Sequence, residues 1–330
     1  MKRTLLSIFA MAAMSASALA ADIKPAIIYD LGGKFDKSFN ESAYNGAEKF
    51  KADTGIEYRD FEIQNDSQRE QALRKFAKDG NDPIVMAGFS WAAALEKVAA
   101  EYPDTNFAII DMVVDLPNVR SVVYKEQEGS YLVGVMAAQA SKSGTVSFIG
   151  GMDIPLIRKF ACGYAPGVVA ANPDATVIAN MTGTTPAAWN DPVKGGEIAK
   201  SQIAQGSDVV YAAAGGTGIG VLQAAKDEGK LSIGVDSNQN GLQPGSVLTS
   251  MLKRVDVAVF NAFNDAKEEK FTYGFNVLGL AENGVDYAMD DNNASLVSDE
   301  MRAAVEQAKA DIIGGKIVVH DYMSDESCPY

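Results

Sequence analysis

Two successive series of short apolar runs, each run followed by a stretch of helical period, constrain the fold of this chain more than any other feature. The first series places candidate strands at 26–29, 57–61, 84–87, 107–110 and 119–124, all but 57–61 dominated by apolar residues. The second places them at 146–149, 176–180, 209–212 and 232–235. Amphipathic segments lie between them at 38–53, 67–78, 92–101 and 128–140, and later at 154–171, 192–205, 219–228 and 255–267. Runs that are apolar throughout, rather than at every second residue, belong to strands covered on both faces. That predicts an α/β fold with parallel sheets sandwiched between helices.

Helix-end signals agree with this reading. Ser67-Gln68-Arg69-Glu70 has the spacing of a capping box. Asp191-Pro192 offers an N-cap followed by proline at the first helical position, and Gly206 suits a left-handed stop. The two series meet near residues 125–128 without a Gly/Ser-rich tether, so two lobes joined by short crossings are expected rather than tethered domains. Runs 247–251 and 276–280 are placed to carry the chain back across, before a last helix at 298–313. The predicted division is 21–126 plus about 254–281 for one lobe, and 127–253 plus about 282–330 for the other.

The first 20 residues read as a cleavable signal peptide. Lys2 and Arg3 precede an apolar run at 5–13, and Ala18-Leu19-Ala20 supplies small residues for cleavage. The expected destination is a bacterial periplasm. That run is too short to span a bilayer, and no other segment approaches the required length, so direct membrane insertion is not expected. The formal net charge of −14 argues against nucleic-acid or anionic-membrane partners, which require basic patches. Cys162 and Cys328 are the only cysteines. In an oxidising compartment they can pair if their Cα atoms come within about 4.4–6.8 Å, or remain two separate thiols. His320 is the only histidine and falls in an alternating stretch at 317–322 that reads as a strand. No metal-ligand cluster, no cofactor motif and no catalytic base are visible.

Chemistry-bearing residues gather where predicted strands end, which is where open α/β sheets bind ligands. After the first strand comes Asp30-Leu31-Gly32-Gly33-Lys34-Phe35-Asp36-Lys37-Ser38-Phe39-Asn40. Here Asp36 and Ser38 are placed to cap the next helix, Phe39 offers a flat ring, and Asn40 offers both a donor and an acceptor. Gly88-Phe89-Ser90-Trp91 follows the third strand, with Ser90 also a sound N-cap. Asp111 ends the fourth, where it can bond a ligand or cap a turn. In the second series, Gly215-Gly216-Thr217-Gly218 forms a glycine-rich turn without a phosphate-loop Gly-Lys-Ser/Thr. Asp236 ends the strand at 232–235, where a carboxylate can take a vicinal diol. Five such tips divided between two series describe a cleft between lobes.

At these residues the chain resembles the basic membrane protein family of ABC-transporter substrate-binding proteins, in its PnrA-like purine-nucleoside group. The resemblance is carried by Asp36-Lys37-Ser38-Phe39-Asn40, Ile109-Ile110-Asp111 and Phe160-Ala161-Cys162-Gly163-Tyr164. It continues through Trp189-Asn190-Asp191-Pro192, Ala213-Ala214-Gly215-Gly216-Thr217-Gly218 and Ile233-Gly234-Val235-Asp236-Ser237-Asn238-Gln239. It implies a type I periplasmic-binding fold, two Rossmann-like lobes with three crossovers, and an ABC permease as partner. It further implies that Phe39 stacks on a purine, Asp111 bonds the base, Asp236 holds ribose hydroxyls and Lys253 lies near the sugar. Trp189 is the candidate for a second stacking face, and Asp36, Asn40, Phe89, Phe160 and Gly215 complete the expected site. Many members carry a lipidated cysteine, whereas none follows the apolar run here, so no lipid anchor is expected.

The expected function is therefore binding of adenosine, guanosine or inosine for import. A receptor for another heterocycle or sugar would use the same pocket and differ in its membrane partner. A secreted nucleosidase would use Asp36 or Asp236 as acid or base, since paired carboxylates support glycoside cleavage.

Overall fold

The computed structural model describes residues 23–328. The predicted signal peptide lies outside them. In chain order the first half runs β1 (Ala26–Tyr29), α1 (Phe39–Thr54), β2 (Arg59–Glu62), α2 (Arg69–Lys78), β3 (Ile84–Ala87), α3 (Ala92–Glu101), β4 (Phe107–Ile110), β5 (Val119–Tyr124) and α4 (Glu126–Ala140). The second half runs β6 (Thr145–Met152), α5 (Pro155–Ala171), β7 (Thr176–Gly183), α6 (Pro192–Ala204), β8 (Val209–Ala213), α7 (Thr217–Asp227) and β9 (Leu231–Asp236). It ends with β10 (Val247–Lys253), α8 (Val255–Lys267), β11 (Gly274–Leu278), β12 (Val285–Tyr287) and α9 (Asp299–Ile313).

The strands form two six-stranded sheets, ordered β11-β5-β4-β3-β1-β2 and β12-β10-β9-β8-β6-β7. Every pairing is parallel except that of β12 with β10. β1, β3 and β4 are buried at every residue, as strands covered on both faces must be, whereas the edge strand β2 is largely exposed. The chain passes from one sheet to the other three times, after β5, after β10 and after β11. The carboxyl ends of both sets of strands consequently point into the space between the lobes.

At the level of local structure two expectations are overturned, one strand is added and one open alternative is decided. The stretch 317–322 is not a strand. Its alternation is real, with Val318 exposed and Val319 buried, but no neighbouring strand pairs with it, and His320 instead contacts Asp325 at 3.0 Å in the tail. The 67–70 capping box does not form: Gln68 already has helical backbone angles, and Ser67 sits inside the 3-10 turn Asp66–Gln68 with its hydroxyl on Asn65. β12 has no counterpart in the predicted elements. Cys162 and Cys328 are joined by a disulfide with Cα atoms 5.5 Å apart, tying the tail to α5. Asp191, by contrast, caps α6 as its sequence indicates, accepting from the Lys194 N–H at 3.0 Å.

Candidate functional site

The loop after β1 is built around one carboxylate. Asp36 Oδ1 accepts from the backbone N–H groups of Ser38 (2.8 Å) and Glu41 (3.1 Å), and Oδ2 accepts from Asn40 (3.0 Å). Asp36 alone therefore caps α1. Ser38, the other expected cap, makes no cap bond and turns its hydroxyl to Asp236 of the opposite lobe at 2.5 Å. Burial pushes Asp36 up to about 7, against the downward pull of those three N–H donors and with nearby Asp236 adding to the rise. Asn40 donates to the Asp30 and Gly33 carbonyls at 3.2 and 3.1 Å, so its amide is oriented, and its buried Oδ1 has no partner within the protein.

The loop's outer side is fixed by Lys34. Its ammonium pairs with Asp60 and sits 4.3 Å from the Tyr44 ring centroid, and its backbone N–H donates to Glu62. The adjoining tip after β3 is held by Asp30, which accepts from Arg69, Ser90 and the Leu31 N–H. Ser90 thus serves this carboxylate instead of capping α3. A Cβ at Gly88 would lie 2.4 Å from Asp30 Oδ2, and Gly88 has φ +111°, so both space and backbone demand glycine there. Of the two aromatics in this motif, Phe89 lines the cleft and Trp91 is fully buried under Arg69.

Asp111, beyond the end of β4 with φ 72°, neither caps a turn nor stands free. Its oxygens lie 2.6 and 2.7 Å from Lys253 Nζ at the end of β10. The same ammonium lies 2.9 Å from Glu126 at the start of α4, and Glu126 is 3.1 Å from Lys159 of α5. Lys159 continues to the Tyr124 carbonyl at 2.6 Å and to Asp321 of the tail at 3.5 Å. Burial raises Asp111 to about 6 although Lys253 pulls it down. Burial alone would lower Lys253, but Asp111, Glu126 and Asp236 reverse this and hold it above its ordinary value. Burial would likewise raise Glu126, and the two lysines hold it below the usual carboxylate range. Glu126 and Lys159 escaped the sequence reading, which offers no sign that Glu126, one of two acidic residues in the first turn of α4, is completely buried.

The second lobe supplies the facing wall. Phe160 projects from α5, and Trp189 ends the 3-10 turn Pro186–Trp189. Thr217 fixes that turn by donating to the Ala188 carbonyl at 2.8 Å and accepting from the Asp191 N–H at 2.7 Å. The Trp189 ring lies directly on Gly151, where a Cβ would come within 2.1 Å of it. Gly215 and Gly216 pack under Trp189, and a Cβ on Gly216 would be 3.8 Å from that of Asp36. The glycine turn therefore packs against the Trp189 backbone and the Asp36 side chain. Asp236, with φ 64°, points at Ser38, and burial raises it.

All ten residues expected at the site line one cleft between the lobes. Asp30 and Leu31 of the same loop and Val235 beside Asp236 line it as well, as do Leu156 and Ile157 of α5, which fall in none of the sequence motifs. Phe39 and Phe160 flank Lys253, whose ammonium is 5.3 and 5.6 Å from their centroids. Among the described residues, Lys253 is the single cation lining this cleft, and no group of three or more His, Cys, Asp or Glu is placed to hold a metal ion.

A family model described as ABC transporter substrate-binding protein PnrA-like matches residues 24–321. The chain belongs to this family. Its relatives include the ABC transporter nucleoside-binding protein BmpA of Lactococcus lactis subsp. cremoris, 34% identical with 90% of this chain and 89% of that protein covered. Basic membrane protein A of Borreliella burgdorferi is 32% identical, covering 89% and 87%. Among solved structures, an ABC transporter solute-binding protein from Aeropyrum pernix superposes with a TM-score of 0.82 at 30% identity, covering 90% of this chain and 94% of that one. The fold is that of type I periplasmic binding proteins, and the chain is a substrate-binding protein of the ABC-transporter type. Among the described residues no helix is long and apolar enough to cross a membrane.

Proposed function

We propose that this substrate-binding protein takes a purine nucleoside, adenosine, guanosine or inosine, between its lobes and presents it to an ABC permease in the periplasm after signal-peptide cleavage. The observation that carries the reading is a cleft walled by the flat rings of Phe39, Phe160, Phe89 and Trp189, with carboxylates at its ends and its one cation already paired. A heterocycle fits between rings, and hydroxyl or amino donors match carboxylates. In this reading Phe39 and Trp189 stack on the base, Asp236 accepts from ribose hydroxyls, and Asn40 Oδ1 accepts from the base edge. Asp36 holds the loop, and the Asp111–Lys253 pair closes the far wall. In this reading the lobes divide as 21–126 with about 254–281 and 127–253 with about 282–330. The Lactococcus relative, named as nucleoside-binding, supports the same ligand class.

Calorimetry on protein stripped of ligand by unfolding and refolding tests the proposal. Saturable one-site binding to at least one of the three nucleosides is expected. No heat with any of them, from protein with native circular dichroism, refutes it. The same mixtures chromatographed for free base distinguish binding from cleavage, and release of base would refute the receptor reading.

A further inference from the structure

The two lobes touch through protein-to-protein hydrogen bonds that require no ligand atom. Ser237 Oγ, just past β9, donates to the Ser38 carbonyl at 2.8 Å, and Gln239 Nε2 donates to the Lys37 carbonyl at 2.8 Å. Both acceptors belong to the loop that opens α1 in the other lobe, so these bonds exist only while the lobes are closed. Gln239 is aimed from its own side: its Oε1 accepts from the Val235 N–H at 2.9 Å and its N–H donates to Ser250 Oγ at 2.9 Å. The Val235 bond fixes which end of the amide carries the donor. The backbone on either side of the contact passes through the left-handed region, at Lys37 (φ 62°) and Asp236 (φ 64°). Non-glycine residues adopt that region only where surrounding structure holds them. Neither Ser237 nor Gln239 lines the cleft.

We infer that Ser237 and Gln239, with the Lys37 and Ser38 carbonyls, form a latch that sets ligand affinity by stabilising the closed form without touching the ligand. A ligand gripped between lobes leaves only from the open form, and apparent affinity scales with the fraction of molecules competent to hold it. Bonds made on closure therefore slow dissociation whatever occupies the cleft. Ser38 also donates to Asp236, so the latch shares a residue with the wall that the proposed function assigns to ribose, and its effect on affinity rests on that reading.

Two variants test it. Ser237→Ala deletes one latch bond, and Gln239→Glu keeps the acceptor for Val235 while turning the donor that faces the Lys37 carbonyl into an acceptor. Small-angle scattering of each ligand-free protein reads the open fraction, and stopped-flow displacement of a bound nucleoside reads the dissociation rate. Each variant is expected to raise the radius of gyration toward that of an open form. Each should also speed dissociation by roughly 2- to 12-fold, the value of one neutral hydrogen bond. Ser237→Thr, which keeps the hydroxyl, is expected to behave as wild type in both assays. Unchanged scattering and unchanged dissociation in Ser237→Ala and Gln239→Glu, with melting temperatures retained, overturn the latch. If wild type binds no nucleoside, the ligand reading fails while scattering still decides whether these residues hold the lobes closed.

Discussion

Replacing Lys253 with methionine tests the electrostatic organisation of the cleft most directly. The side chain is 2% exposed and its ammonium is shared between Asp111 and Glu126, which meet it from β4 and α4 respectively. Methionine keeps a four-atom stem and so most of the packing, and loses the ammonium together with its approach to the Phe39, Tyr124 and Phe160 rings. What remains is two buried carboxylates without their common cation. Breaking a buried pair from one side costs about 3–5 kcal/mol. That is a large part of the 5–15 kcal/mol typical of whole domains. The cost has a definite pH dependence. Without the ammonium, Asp111, already raised by burial, rises further, and Glu126 loses one of the two lysines that hold it down and moves upward. An acid raised in the folded state contributes stability that is complete below its unfolded pKa and is lost as pH rises through its folded pKa. The deficit of the variant relative to wild type is therefore expected to be smallest near pH 5 and to grow toward pH 8. Urea unfolding of both proteins at pH 5, 6.5 and 8 measures it. A deficit below about 1 kcal/mol at pH 8, or one that shrinks as pH rises, would falsify the argument that Lys253 neutralises buried carboxylates.

Asp236→Ala should remove charge-assisted bonds to a ligand's hydroxyls and weaken nucleoside binding by about 1.5–3 kcal/mol, ten- to over a hundredfold by calorimetry; equal affinity to wild type would show that Asp236 does not hold the ligand. Gly151→Ala places a methyl where the Trp189 ring now rests, and an overpacked site of this kind costs about 1–3 kcal/mol. It should shift Trp189 fluorescence and lower the melting temperature, whereas an unshifted spectrum would mean that the ring does not depend on this glycine. Asp36, raised by burial to about 7, makes the wild type lose stability as pH climbs from its unfolded value of 3.8 through 7. In Asp36→Asn that part of the slope should vanish in melting curves taken from pH 4 to 8, and an identical slope would remove Asp36 as its source.

The α/β alternation was legible because strands buried on both faces are written as unbroken apolar runs, and most predicted elements fall within one or two residues of their observed ends. β12 was illegible for the opposite reason: three residues, Val285–Tyr287, held by antiparallel pairing with β10, carry no periodicity of their own. The stretch 317–322 misled because alternation reports only that one side is buried, not that a partner strand exists. At the site, residues on strand tips were found because position in the fold and chemistry coincide there. Glu126 and Lys159 were missed because their burial depends on Lys253, Asp111 and Tyr124, which are distant in sequence. Ser38 and Ser90 were read as helix caps, the local use of serine, whereas carboxylates across the cleft and in the neighbouring loop claim both hydroxyls.

The balance of charge in the cleft also decides which nucleoside derivatives it can accept. Asp30, Asp36, Asp111 and Asp236 line it; Arg69 behind the wall is paired with Asp30, and Lys253, the single cation lining the cleft among the described residues, is shared between Asp111 and Glu126. A neutral nucleoside brings donors to this surface and loses nothing by being enclosed. A 5′-monophosphate brings about two negative charges into the same space, with no uncommitted cation lining the cleft to receive them. At an effective dielectric of about 20, one like-charge pair 6 Å apart costs about 3 kcal/mol, roughly a hundredfold in affinity. Adenosine should therefore outcompete adenosine monophosphate by at least about a hundredfold at low salt. Raising the ionic strength should narrow the gap little, because charges enclosed between lobes are weakly screened. Competition calorimetry at 20 mM and at ~0.5 M salt decides it. Comparable affinities for the two ligands would mean that Lys253 leaves its carboxylates to meet the phosphate, and that the pairing around it yields to the ligand rather than shaping the choice.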